Sequence, residues 1–284
     1  MKITLLQQDI SWGNPETNVR NAEQAMEACP GSDVYVLPEM FSTGFCTQPE
    51  GLAESADSDT LRWMRRYAAG HDCAVAGSVA VQEGGKYYNR FYFVSPDGAV
   101  RSYDKKHLFT YGGEHHRFTA GRERVVVEFR GVRILLQICY DLRFPVWARN
   151  RKDYDVALYV ASWPTPRVEA WLALLRARAI ENQCYVAGVN RVGTDPSCEY
   201  CGGTLMIDPY GRTVAACEQG RVDAVTVWQL PGNGTDYPLK PGESFIITQE
   251  AANHADHSKY GGLIDTSLSE FETWAGNPQR VNPD

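Results

Sequence analysis

Short apolar runs alternate along this chain with stretches that repeat at the helical period. Lys2–Gln8, with Ile3, Leu5 and Leu6, reads as a strand. Asn14-Pro15-Glu16-Thr17 then places a capping asparagine before a proline at the first helical position, which opens a helix to about Cys29. Val34-Tyr35-Val36-Leu37 is apolar throughout and ends at Pro38, the pattern of a buried strand. A second helix is expected over about Asp59–Ala69, followed by a strand over Ala74–Ala80. Glu83-Gly84-Gly85-Lys86 turns the chain into a strand Tyr87–Val94, and Ser95-Pro96-Asp97-Gly98 turns it again into Ala99–Tyr103. Val125–Phe129 and Val132–Ile138 flank the two-residue turn Arg130-Gly131, a hairpin signal. Beyond it the pattern predicts a helix near Pro145–Lys152, a strand Val156–Val160, a long helix Arg167–Asn182 and a strand Tyr185–Asn190. Thr204–Ile207, Thr213–Cys217 and Ala224–Trp228 close the series as short strands, with Asp208-Pro209-Tyr210-Gly211 as a turn.

Both crossover and hairpin connections occur in this order, so the expected core is a mixed, two-sheet α/β arrangement covered by helices. No Ser/Gly linker or charge block divides the chain, which predicts one domain over residues 1–230. From Pro231 to Asp284 the sequence is rich in Gly, Pro and Asn and loses its periodicity, so an irregular extension of that domain is expected there.

Composition narrows the class. With 284 residues, 43% of them hydrophobic and 22% charged, the chain can bury a large core. Its formal net charge of -7 disfavours nucleic acid or an anionic membrane as partner, since either calls for a basic face. No apolar stretch approaches the roughly 18 residues needed to span a bilayer. The N-terminus reads as a strand and not as an export signal, so a cytoplasmic location is expected. Eight cysteines, at 29, 46, 73, 139, 184, 198, 201 and 217, then read as reduced thiols, mostly packed in the core. Cys198 and Cys201 form an isolated CxxC pair without a second pair or a nearby histidine, a weak zinc signal.

Three segments place a reactive side chain at or just beyond the end of an apolar strand. In Val36-Leu37-Pro38-Glu39 a carboxylate follows a buried run, where it must be neutral or paired unless it reaches solvent. In Tyr103-Asp104-Lys105-Lys106-His107 strand alternation sets Lys105 on the face of Tyr103 and Lys106 on the other, although a Lys-Lys pair is more often a solvated turn. In Val132–Ile138 a seven-residue strand delivers Cys139 to a tight turn leading into a helix. Such a turn exposes a nucleophile and offers backbone N–H groups to an oxyanion, whereas most buried cysteines are inert.

Taken in order, Glu39, then Lys105 in Lys-x-His-Leu-Phe, then Cys139 in Ile-Cys-Tyr-Asp-Leu-Arg-Phe-Pro, the chain resembles the nitrilase superfamily of carbon–nitrogen hydrolases over about residues 1–230. The resemblance implies a four-layer αββα sandwich, a homodimer and no cofactor. It implies Glu39 as general base, Lys105 as transition-state stabiliser and Cys139 as nucleophile, with Glu114 as a positioning glutamate. The Tyr140 backbone N–H would share the oxyanion with Lys105. The segments Ala161–Arg167 and Arg178–Arg191 are similar to the ω-amidase branch, which hydrolyses the terminal amide of small 2-oxo acid amides such as 2-oxoglutaramate and 2-oxosuccinamate. Such a substrate is an anion. Arg143, four residues past Cys139, suits its carboxylate, with an internal pair to Asp141 or Glu39 as the alternative. Trp163 is a candidate pocket wall or core residue, and Arg167 a lesser substrate-binding candidate that could equally be a solvated helix-start arginine. A carbamoylase or nitrilase would use the same triad. A metal hydrolase built on His107, His115, His116 and Glu114 lacks any helical ligand pairing, and a purely binding protein would not need three reactive side chains.

Overall fold

The computed structural model describes residues 1–227; the expected extension over 231–284 lies outside the described residues. The first half runs β1 (Ile3–Gln7), α1 (Pro15–Glu27), β2 (Val34–Val36), β3 (Glu54–Ser55), α2 (Asp59–His71), β4 (Ala74–Glu83), β5 (Lys86–Val94) and β6 (Val100–Asp104). The second runs β7 (Val126–Phe129), β8 (Val132–Ile138), α3 (Pro145–Ala148), β9 (Val156–Ala161), α4 (Val168–Asn182), β10 (Tyr185–Asn190), β11 (Val192–Thr194), β12 (Glu199–Cys201), β13 (Leu205–Ile207), β14 (Thr213–Ala216) and β15 (Asp223–Val227).

The expected caps form. The Asn14 side chain accepts from the Thr17 N–H at 3.1 Å with Pro15 behind it, and Ser58 caps α2 through the Leu61 N–H at 3.2 Å. Arg130 and Gly131 both take positive φ, 48° and 77°, which closes the β7–β8 hairpin with the twist that a two-residue turn requires.

One sheet has the order β15-β1-β2-β4-β5-β6 with β3 beside β4, and the other β14-β13-β10-β9-β8-β7. Parallel pairs lie in the middle of each (β1–β2–β4 and β8–β9–β10), antiparallel strands continue both sheets on either side, and the short β3 lies parallel to β4. Alternation along the strands then builds three apolar layers. Leu5, Val36, Ala76 and Phe93 of one sheet face Ile134, Leu136, Leu158 and Val189 of the other. Leu37, Val75 and Tyr92 pack under Met26 of α1 and Met64 and Tyr67 of α2. Leu135, Ala157, Tyr159 and Val186 pack under Trp171, Leu175 and Ala179 of α4. Three cores between four layers make an αββα sandwich, as the resemblance implied. At Gly188 of β10 an added Cβ would stand 2.4 Å from Leu175, so glycine is what lets α4 settle onto its sheet.

Two details differ from expectation. The helix after Cys139 is short: Cys139–Arg143 is a 3₁₀ turn, and α3 covers only Pro145–Ala148, not the span to Lys152. The small hairpin β11–β12 stands apart as its own two-stranded sheet.

Candidate active site

β2, β6 and β8 deliver Glu39, Lys105 and Cys139 to one place between the sheets. Glu39 and Lys105 are fully buried, and the Lys105 Nζ donates to Glu39 Oε1 at 2.9 Å. The same ammonium donates to Glu114 Oε2 at 2.9 Å and Oε1 at 3.2 Å, so one cation stands between two carboxylates. Glu114 opens a 3₁₀ turn, Glu114–His116, and is fixed further by the Phe109 N–H at 2.6 Å. The other oxygen of Glu39, Oε2, accepts from the Ser162 N–H at 2.8 Å. Lys106 turns away and lies over the Trp147 ring at 5.4 Å, so strand alternation separated the two lysines correctly.

Charge explains the protonation pattern. Burial alone would lower the Lys105 ammonium, but the carboxylates of Glu114 and Glu39 outweigh it and hold it above its ordinary value. Burial, with Glu39 adding to it, raises Glu114 against the pull of Lys105. Burial first, then the facing carboxylate of Glu39, push the Cys139 thiol well above its ordinary value, while Lys105 opposes them. The thiol therefore rests protonated and faces the Glu39 carboxylate.

Cys139 itself sits at φ 44°, a left-handed conformation uncommon outside glycine. Met40, next to Glu39, takes φ 44° as well. Backbone strain of this kind costs on the order of 1–3 kcal/mol per residue and persists only where the surroundings fix it. Asp141 is that fixture for the cysteine turn. Its buried carboxylate accepts the Ile138 N–H at 3.0 Å and the Tyr103 hydroxyl at 2.8 Å through Oδ2. Through Oδ1 it accepts the His107 N–H at 2.9 Å and meets the His107 Nδ1 at 2.8 Å. The Arg178 guanidinium on α4 closes the same turn by donating to the Leu142 carbonyl at 2.6 Å.

Cys139 opens onto a pocket of about 430 Å³, its mouth included. Phe45, Phe109, Tyr140, Trp163 and Pro164 form aromatic and apolar walls, and Ser162 is part of the lining. Trp163 is at once wall and core: it is buried, its Nε1 donates to the Arg167 carbonyl at 2.7 Å, and Trp171 packs behind it at 5.5 Å. Arg143 and Arg167 also line this pocket. Arg143 lies over Trp163 at 5.1 Å and Arg167 over Phe109 at 5.3 Å. Among the described residues neither guanidinium has a carboxylate partner, so the alternative pairing of Arg143 with Asp141 or Glu39 is not made. The chain thus gathers all eight residues singled out from the sequence: Glu39, Lys105, Glu114, Cys139, Tyr140, Arg143, Trp163 and Arg167.

Sequence reading missed four contributors. Asn89 donates to both carboxylates beside Lys105. Asn190 pins the Trp163 backbone, accepting from its N–H at 2.7 Å and donating to its carbonyl at 2.9 Å. Cys198 and Tyr200, from the β11–β12 hairpin, complete the far wall, so one cysteine of the CxxC pair faces the site. A polar Asn at an inward strand position was the available signal for Asn89. Among the described residues no cluster of His, Cys, Asp or Glu is arranged to hold a metal ion.

A family model described as carbon–nitrogen hydrolase matches residues 2–228. The chain belongs to that family. Relatives narrow the comparison within it. The ω-amidase YafV of Escherichia coli K12 is 51% identical over 229 residues, covering 79% of this chain and 89% of the relative. The 2-oxoglutaramate amidase of Bacillus subtilis is 42% identical over 231 residues, covering 78% and 88%. Among solved structures, a carbon–nitrogen hydrolase superfamily protein of Xanthomonas campestris, with an arsenic adduct in its active site, matches with TM-score 0.77 at 43% identity, over 80% of this chain and 90% of that one. Saccharomyces cerevisiae Nit3 shares the fold at TM-score 0.72 and 24% identity, over 80% and 89%. This carbon–nitrogen hydrolase is accordingly an enzyme that cleaves amide carbon–nitrogen bonds, built on the nitrilase-superfamily sandwich.

Proposed function

We propose that the enzyme releases ammonia from the terminal amide of short 2-oxo acid amides, 2-oxoglutaramate and 2-oxosuccinamate, through a thioester on Cys139. The observation that carries the substrate class is the pair of guanidiniums, Arg143 and Arg167, beside Cys139 with no carboxylate opposite among the described residues. Two uncompensated cations among aromatic walls suit a small anion, and a charge-assisted bidentate contact suits its carboxylate. The names of the ω-amidase and 2-oxoglutaramate amidase relatives support the same reading.

In this reading Sγ of Cys139 attacks the amide carbon as its proton passes to Glu39 Oε2. The oxyanion is held by the Lys105 ammonium and the Tyr140 backbone N–H. Glu39 then protonates the departing ammonia, and the C–N bond breaks to leave the thioester. Water, losing a proton to Glu39, attacks the thioester and returns the thiol and the free acid. Glu114 fixes Lys105, Trp163 walls the acyl chain, Arg143 binds the distal carboxylate and Arg167 backs it. Each step is met by the chain's own residues, so no cofactor enters.

The same proposal includes a cytoplasmic homodimer acting on a small molecule, with no nucleic acid or membrane partner. Eight unbonded cysteines suit a reducing compartment, and the exposed apolar side chains of Val146 on α3 and Ile180 on α4 favour pairing over that helical layer.

The test is ammonia release over a panel of 2-oxo acid amides, carbamoyl amino acids, nitriles and a neutral amide of matched length. A charged contact of roughly 1.5–3 kcal/mol corresponds to about 10- to 100-fold in an equilibrium constant. Arg143→Met should therefore raise KM for 2-oxosuccinamate by about that factor and leave the neutral amide little changed. Equal losses on both would make Arg143 a structural residue, and preference for carbamoyl or nitrile substrates would replace the substrate class.

A further inference from the structure

We propose that Asn89 is a positioning residue that assigns the two oxygens of Glu39 to different tasks, one to structure and one to proton transfer. Asn89 is fully buried on β5. Its Nδ2 donates to Glu39 Oε1 at 2.8 Å and to Glu114 Oε1 at 3.2 Å, one N–H for each carboxylate. Its backbone carbonyl accepts the Lys105 backbone N–H at 2.9 Å, so a single strand position touches the base, the stabilising lysine and the second glutamate.

The consequence is an asymmetry in Glu39. Oε1 receives two strong donors, Asn89 Nδ2 and the Lys105 Nζ at 2.9 Å. Among the described residues Oε2 receives only the Ser162 N–H, at 2.8 Å, and keeps acceptor capacity for the proton of Cys139. Without Asn89, Oε1 would be held by the lysine alone, and the carboxylate could shift on its two remaining donors, the Lys105 ammonium and the Ser162 N–H. The amide orientation is compelled, because reversing it would set Oδ1 against two carboxylate oxygens. That orientation has a cost, since Oδ1 is buried without a partner among the described residues. A buried acceptor left unpaired is uncommon and calls for an explanation, and here the explanation is that both N–H groups are committed to carboxylates.

The identity of the side chain follows. An aspartate would bring a third negative charge between Glu39 and Glu114 beside one lysine. Glutamine would overreach by a methylene, and serine could donate to only one of the two.

The inference rests on Glu39 being the base, so its test is made independent of the substrate. The rate of Cys139 alkylation by iodoacetamide is followed against pH in the intact protein and in Asn89→Ala and Asn89→Ser, together with kcat and KM for 2-oxoglutaramate. A carboxylate that loses a donor is easier to protonate. The acid limb of the alkylation profile should therefore move to higher pH in both variants, less in Asn89→Ser. Near neutral pH kcat should fall about 10- to 100-fold with KM little changed, as expected when a reacting group is slightly misplaced. The two small substitutions guard against a variant that fails to fold, and either one, if soluble, decides. An acid limb superimposed on the parent's, or a loss confined to KM, overturns the proposal. A Glu39→Gln variant that keeps turnover would instead remove the reading of Glu39 as base, whatever Asn89 does.

Discussion

At the scale of single residues, the site depends on one ammonium shared between two buried carboxylates. A buried ion pair gains little stability on balance, but removing one partner leaves an uncompensated charge and is strongly destabilising. Lys105 has two such partners at 2.9 Å. Lys105→Ala should therefore abolish turnover and also lower the melting temperature, because Glu39 and Glu114 are left facing each other without a cation. Lys106→Ala should be mild in both respects, since Lys106 only lies over Trp147 at the edge of the site. Melts and steady-state rates on the two variants check this. A severe Lys106→Ala and a benign Lys105→Ala would reverse the assignment. Cys139→Ala behaves differently: it should remove turnover while the fold survives, because a lost sulfur beside an open pocket leaves only a small cavity.

Among elements, the cysteine turn shows what the sequence could and could not reveal. An apolar strand ending in Cys139, and the alternation that turns Lys105 inward, were legible because both depend on local period alone. A mixed two-sheet core covered by helices was legible for the same reason, whereas the four-layer order came with the family resemblance. What holds the turn was not legible. Asp141 binds Tyr103 and His107, 38 and 34 residues away in sequence, and Asn89 reaches Glu39 across 50. Those meetings exist only once β5, β6 and β8 are in register, and no local pattern encodes them. The β11–β12 hairpin escaped notice because its strands are three residues each around Asp195-Pro196-Ser197-Cys198, which reads as loop. The element-level prediction follows from Asp141. All four groups around its carboxylate approach as donors if His107 carries its proton on Nδ1; the Tyr103 hydroxyl must donate, because it already accepts from Trp147 and Lys106. Asp141→Asn places an NH₂ against at least one pair of them, an unsatisfied contact worth roughly 1–3 kcal/mol. The expected result is a lower melting temperature and a fall in kcat larger than any change in KM, because the strained φ at Cys139 relaxes. Parent-like kcat in a destabilised Asp141→Asn would show that the turn keeps its shape without this anchor.

For the molecule as a whole, the distribution of thiols predicts how stability responds to alkali. Four cysteines outside the site, Cys46, Cys73, Cys184 and Cys217, are each pushed from 9.0 to about 12, in every case chiefly by burial. Unfolding would return them to their ordinary value. Below about pH 9 they are protonated in both states, and their preference for the folded interior contributes fully. As pH rises from about 9 towards 12 the unfolded chain loses these protons while the folded chain keeps them, so stability falls with pH. For a well-buried thiol such as Cys184 the slope is about 1.4 kcal/mol per pH unit within that window. Several such groups acting together should make the melting temperature drop steeply between about pH 9 and 11 while it stays nearly level from 7 to 8.5. Cys184 packs under α4 with its thiol 3.9 Å from the Arg178 carbonyl. Cys184→Ala should therefore lower the melting temperature at neutral pH through the cavity it opens, and should make the alkaline decline shallower by one proton's worth. Thermal melts of both proteins at half-unit steps of pH make the comparison. Parallel declines would mean that Cys184 ionises in the folded protein as readily as in the unfolded chain, and that alkali acts elsewhere in the structure.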